Sequence, residues 1–287
     1  MSIFHKVVDE ALEEKRELQS LRIVVEKELL IHDILRIMRE QGFLQELTFI
    51  GGTCLRLCYG GVRLSEDLDF TGGTQFSRQS LHLLGQTVAR EIQEKYQFNV
   101  TVSDPFKDKQ NVDTWKIKVE TRPEKKHMPL QRINIDICAV PSYEAQPVMV
   151  RSPYNIDLGA SGLVLSAQSR EEIYADKFLA FALQPNRIKY RDIWDILWLH
   201  GEGVQPRLTL VERKLADRSK TMVSFLQNYD DRVQMLKERP ILIDQFSQEM
   251  RRFLPEERVA GLLGQPQVWE FIIALLQGMR QQFIFSK

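Results

Sequence analysis

The chain has 287 residues, and its 39 Lys plus Arg balance 39 Asp plus Glu to a formal net charge of zero. That balance excludes a protein that coats nucleic acid through charge alone, though not a local basic groove; 43% hydrophobic and 27% charged residues exclude a disordered chain, and the length suits about two domains. Three cysteines (Cys54, Cys58 and Cys138) form no disulfide framework. With no apolar run of about 18 residues and no apolar signal core in MSIFHKVVDEALEEKRELQ, they lead us to expect a cytoplasmic protein without a membrane span.

Residues 17–41 read as a long helix, with Leu21, Val25, Leu29, Ile34, Leu35 and Met38 at helical spacing and Gly42 as its stop. Leu47 to Ile50 is a short apolar strand. Gly51-Gly52-Thr53 follows, then a short helix carrying Leu55 and Leu57 that ends at Gly60-Gly61. Leu68 to Phe70 reads as a strand, and Ser77 as the cap of a helix running to Lys95. Three β-like runs come next: Phe98 to Val102, the alternation Trp115, Ile117, Val119, and the alternation Ile133, Ile135, Ile137. Beyond residue 165 the pattern turns helical. Ser169 and Glu172 form a capping-box candidate, and breaks fall near Pro206, Pro240, Pro255 and Pro266. The last helix carries Val268, Phe271, Ile272, Leu275, Leu276 and Met279 on a core-facing stripe. Residues 1–165 therefore predict an α+β domain, and 166–287 a helical one.

The chemistry concentrates in FIGGTCLRLCYGGVRLSEDLDF, residues 49–70. Asp67 and Asp69, two apart on a strand, project to one face. Two neighbouring carboxylates repel, and a divalent cation resolves the repulsion; hard oxygen ligands suit Mg²⁺ or Mn²⁺. Gly51-Gly52-Thr53 lies between a strand and a helix start, where backbone N–H groups can approach a phosphate and the Thr53 hydroxyl can add a hydrogen bond. A phosphate cradle beside a metal pair is the arrangement needed for phosphoryl or nucleotidyl transfer. A third carboxylate is then expected on a neighbouring strand, and Asp136 fits. It would bind metal or serve as general base.

Gly-Gly-Thr-x-Leu followed by Arg63-Leu-Ser-Glu-Asp-Leu-Asp-Phe70 resembles the AbiEii-type nucleotidyltransferase toxins of type IV toxin–antitoxin systems. These belong to the DNA polymerase β-like nucleotidyltransferase superfamily. Lys177, in a helix after the sheet, and Arg191-Asp192-x-x-Asp195 match two further signatures of the family. The resemblance implies an α+β polymerase β-like core, a mixed sheet with flanking helices, plus a C-terminal helical domain that completes the active-site cleft. It implies an enzyme that moves a nucleoside monophosphate from an NTP to an acceptor, in relatives the 3′ end of tRNA, and that is encoded with an antitoxin. By family transfer Asp67 and Asp69 bind metal, Lys177 contacts the triphosphate, Asp192 is a further active-site residue, and Arg63 and Ser65 flank the metal strand, with Arg63 as a phosphate contact. Two alternatives stand beside this reading: transfer to a protein or a small molecule, and a silent module that binds nucleotides or an antitoxin.

Other features are secondary. Cys54 and Cys58 read as small buried residues, and Trp194 and Trp198 as core packing. Arg122, Lys125, Lys126, His127 and Arg132 form a basic hairpin, either a solvated turn or an RNA-backbone contact. Lys107, Lys109 and Arg187-Lys189-Arg191 could extend that surface.

Overall fold

The computed structural model describes residues 2–105, 112–124, 128–156, 159–184, 187–263 and 265–285. Lys107, Lys109, Lys125, Lys126 and His127 lie outside the described residues. The chain divides into two compact units, residues 1–168 and 169–287.

The first unit opens with α1 (Ile3–Glu14), which the charged composition of the N-terminus hides. Ser2 caps it by accepting from the His5 N–H, and Phe4, Val8, Ala11 and Leu12 are buried. Phe4 packs edge-on against Tyr96 and Phe98 at 5.1 and 5.4 Å. The predicted long helix is divided into a 3-10 segment, Arg16–Leu21, and α2 (Arg22–Glu40). β1 (Thr48–Ile50) leads directly into α3 (Gly51–Tyr59), which stops at Gly60 in the left-handed conformation (φ 82°). β2 (Leu68–Thr71) follows an eight-residue loop, residues 60–67. Ser77 makes no side-chain cap, and the helix expected after it is split into a 3-10 turn, Arg78–Leu81, and α4 (Leu84–Tyr96).

β3 (Asn99–Ser103), β4 (Val112–Glu120) and β5 (Gln131–Cys138) continue the sheet. Two strands absent from the sequence reading complete it: β6 (Ala145–Met149) and β7 (Val164–Gln168). The order is β3-β4-β5-β2-β1-β7-β6, with β2–β5 and β1–β7 parallel and the remaining pairs antiparallel. β6 escapes the alternation test because it is a mostly exposed edge strand. It holds Pro147, which the edge tolerates because no second ladder needs its missing N–H. The sheet is mixed and flanked by helices, the α+β class that the sequence implies.

The second unit is helical: α5 (Arg170–Leu183), α6 (Tyr190–Gly201), α7 (Leu208–Asp217), α8 (Met222–Glu238), α9 (Ile241–Met250), the short α10 (Glu256–Arg258) and α11 (Pro266–Phe285). Ser169 caps α5 by accepting from the Glu172 N–H at 3.0 Å. Pro240, Pro255 and Pro266 stand at helix starts, where a missing N–H costs nothing. The core is aromatic: Phe178 stacks on Tyr174 at 4.5 Å, and Phe181 meets Tyr229 edge-on at 5.1 Å. On α11, Ile272, Leu275, Leu276 and Met279 are buried as expected, together with Trp269 and Phe283, whereas Phe271 is half exposed. Trp194 is buried, as its core reading requires. Among the described residues no single helix is long and apolar enough to cross a membrane.

Candidate active site

The site in the first unit is built where three strands and one helix start meet. β2 runs between β1 and β5, and its register sets Asp69 opposite Ile50 on one side and opposite Asp136 on the other. Leu68 and Phe70 are buried on the opposite face, as are Ile135 and Ile137, so the strand period turns both carboxylates to the other side of the sheet. Phe70 stacks on Phe49 at 5.1 Å and fixes that arrangement from behind. Asp67 lies one residue before β2. Its carboxylate accepts the Asn134 N–H at 2.9 Å, which joins it to β5 near Asp136. Asp136 in turn accepts from the Thr114 hydroxyl at 2.6 Å.

Gly51 turns from β1 into α3 with φ 78°. A Cβ on it would lie 2.7 Å from an oxygen of the Asp69 carboxylate, so this position admits no side chain. No side chain caps this helix start, and its first turn carries no acidic residue, which leaves it suited to an anion. Gly51 and Gly52 are half-buried.

Three residues expected at the nucleotide instead face inward. Thr53 is fully buried, and its one proton is shared between the Ser65 hydroxyl, 2.7 Å away, and the Asp67 carbonyl. Ser65 is buried as well and donates its N–H to Glu28 at 3.1 Å. Arg63 is 5% exposed and donates to the Leu64 carbonyl at 3.0 Å. In this structure they hold the loop that delivers Asp67, rather than presenting groups outward.

The residue beneath that loop is Glu28, which the sequence reading passed over. It is fully buried on α2, accepts from Ser65, from Arg56 of α3 at 3.0 Å and from the Tyr154 hydroxyl, and so ties α2, α3 and the loop together. The Arg56 guanidinium is held firmly charged by Glu28 despite burial. A signal was present: Glu28 falls on the stripe of Val25 and Leu29, where a charge is out of place unless paired.

Electrostatically the site is loaded with negative charge. Burial raises the Asp67 carboxyl above the ordinary carboxylate range; the Asn134 N–H opposes this, Glu66 and Asp136 add like charge, and Lys27 counters. Lys27 itself pairs with Glu66 at 2.7 Å. The donor chemistry of Asp67, Asp69 and Asp136, all carboxylate oxygen, fits a hard dication. The three are not drawn into a closed ligand set, and among the described residues no group of three His, Cys, Asp or Glu side chains is placed to hold one ion. The cysteines are free, with Cys54 and Cys58 buried.

Lys177 and Asp192 lie in the second unit. Lys177 on α5 is buried, its ammonium 2.7 Å from Asp192 and 2.7 Å from Asp195, both on α6. The second oxygen of Asp192 is buried with no hydrogen-bond partner among the described residues. A second buried lysine, Lys214 of α7, lies 2.8 Å from both Glu172 and Asp176 of α5. Of the basic hairpin, Arg122 is paired with Glu26 rather than available to a ligand, and Arg132 is exposed.

The chain aligns with solved structures. MenT4, a nucleotidyltransferase toxin from Mycobacterium tuberculosis, aligns with a TM-score of 0.52 at 16% identity, covering 95% of this chain and 91% of that one. JHP933 from Helicobacter pylori aligns with a TM-score of 0.46 at 18% identity over 91% of each chain. No curated protein sequence matches the chain. The fold is thus one used by nucleotidyltransferase toxins. The sequence profile of the family described as Nucleotidyl transferase AbiEii toxin, Type IV TA system, matches residues 33–273, and the chain belongs to that family.

Proposed function

We propose that this toxin-family enzyme transfers a nucleoside monophosphate from an NTP to the 3′ end of a tRNA, depends on Mg²⁺ or Mn²⁺, and is held in check by a cognate antitoxin. One observation carries the reading. Asp69 and Asp136 are in register on adjacent parallel strands, with Asp67 two residues before Asp69, beside an uncapped helix start whose first glycine has no room for a side chain.

In the proposed reaction an acceptor hydroxyl oxygen attacks the α-phosphorus. The bond from that phosphorus to the oxygen bridging to the β-phosphate breaks, and pyrophosphate leaves with the electron pair. Asp136, on β5, would take the hydroxyl proton or act as a metal ligand. Asp67 and Asp69 would hold the dication, which supplies charge neutralisation at the phosphates. The backbone at Gly51 and Gly52 would face the phosphates. The assignment of Lys177 to the triphosphate rests on the family resemblance.

The test is incubation with each radiolabelled NTP and total RNA. Label at an RNA 3′ end is expected, absent with Asp69→Ala and Asp67→Ala, both folded by circular dichroism. Label on protein alone, or undiminished transfer by both variants, overturns the proposal.

A further inference from the structure

The second unit contains a cavity of 490 Å³ lined by Arg187, Lys189, Arg191, Arg232, Arg252 and Glu249. Among the described residues that line it, five cations face one carboxylate, on a chain whose net charge is zero. Glu249 is engaged with Arg191 at 3.4 Å, so the remaining four cations set the charge of the cavity. Arg187 and Arg252 are exposed.

The cations are also held in place. The guanidinium of Arg232 donates to the Gln184 carbonyl. Those of Arg191 and Arg252 lie over the Phe253 ring, at 5.1 and 5.5 Å. The Tyr190 hydroxyl donates to Gln245 at 2.7 Å and fixes the floor. Lys189 occupies the N-cap of α6, with Arg191 in its first turn. Cations at a helix N-terminus oppose the macrodipole, whereas an anion there would be favoured by both. The acidic residue of that first turn, Asp192, is engaged with Lys177 at 2.7 Å.

We infer that this cavity binds the phosphodiester backbone of an RNA strand, and so is a docking site for the acceptor. The inference rests on the proposal that the acceptor is RNA. Four arginines to one lysine suit forked recognition of phosphate oxygens. The volume suits a nucleotide rather than a single ion. A magnesium-bound triphosphate is favoured by carboxylates for its metal, and the one carboxylate among the described residues that line the cavity is paired with Arg191.

The experiment is fluorescence anisotropy of a labelled single-stranded RNA, in EDTA, across a range of salt. Arg187→Gln combined with Arg252→Gln is expected to weaken binding about tenfold. It should also make the slope of log K against log salt shallower by about 1.4, the loss of two phosphate contacts on a single strand. Circular dichroism checks folding, and each single variant should show half the slope change. ATP binding by equilibrium dialysis should be unaffected. Unchanged RNA affinity and slope overturns the inference. So does ATP binding that falls in step with RNA binding, or a polyglutamate peptide that competes as well as RNA of equal charge. Binding needs no turnover, so Asp69→Ala is expected to bind RNA normally. Pocket-dependent RNA binding without any nucleotidyl transfer would sink the acceptor reaction and leave the docking site standing.

Discussion

A carboxylate 2.7 Å from where a Cβ would stand makes Gly51 the least replaceable residue of the site. Gly51→Ala must both hold a left-handed conformation, at about 1 to 2 kcal/mol, and displace the Asp69 side chain. Turnover is expected to fall more than tenfold with only modest loss of stability, as read from steady-state kinetics and urea unfolding. If Asp67 holds the proposed dication, it sets the acid limb of the activity. Its folded carboxyl ionises at higher pH than an ordinary aspartate because it is buried, and metal binding needs the ionised form. Activity is therefore expected to fall with acidification at a pH above the aspartate value of 3.8. For the metal-free protein the sign reverses. A folded pKa above the unfolded one contributes stability that is present at low pH and lost as pH rises through the folded value. Asp67→Asn, which keeps an acceptor for Asn134, should remove that loss, as unfolding midpoints at two pH values would reveal. At this scale the sequence was informative where backbone geometry dictates identity, at Gly51, Asp67 and Asp69. It did not show that Thr53, Arg63 and Ser65 are buried, because a polar side chain in a motif serves a ligand or a loop equally well until its neighbours are known.

Among the elements, α2 carries the least expected burden. Its buried Glu28 supports α3 through Arg56 and the Asp67 loop through Ser65. Glu28→Ala would leave a buried guanidinium without its carboxylate, with the Gly61 carbonyl still accepting from it, a change that costs about 3 to 5 kcal/mol, and should lower the urea midpoint accordingly. Glu28→Gln should recover part of the stability and activity, since it keeps an acceptor while losing the charge. The strands β4 and β5 were legible because each alternates buried and outward residues. β6 was not, since an exposed edge strand has no apolar face to read. α1 was missed for the opposite reason: four buried residues in twelve are enough to dock a helix, yet charged neighbours dominate its composition. Lys177 was legible as a lysine in an apolar stretch, but its two aspartate partners lie on α6, 15 and 18 residues away, and only the packing of helices reveals them.

For the whole molecule, the zero net charge conceals a division of labour that no composition can display. Carboxylates collect at one sheet position in the first unit, and arginines at one cavity in the second. The parallel pairing of β2 and β5 has a consequence for the lifetime of the protein. The ladder decides how near the backbones of Asp69 and Asp136 stand, so their carboxylates can move apart only by side-chain rotation and not by a shift of the strands. A cation that binds there acts as a structural ligand as well as a chemical one. At about 100 times its dissociation constant it would add about 2.7 kcal/mol to the folded state. Mg²⁺ or Mn²⁺ should therefore raise the melting temperature by several degrees, EDTA should reverse the rise, and Asp69→Asn should abolish it in a thermal-shift assay; an unmoved melting curve would mean that these carboxylates hold no cation. If the shift appears, the supply of divalent ions in the cell also governs how fast the folded toxin is surrendered to proteases, quite apart from how fast it works.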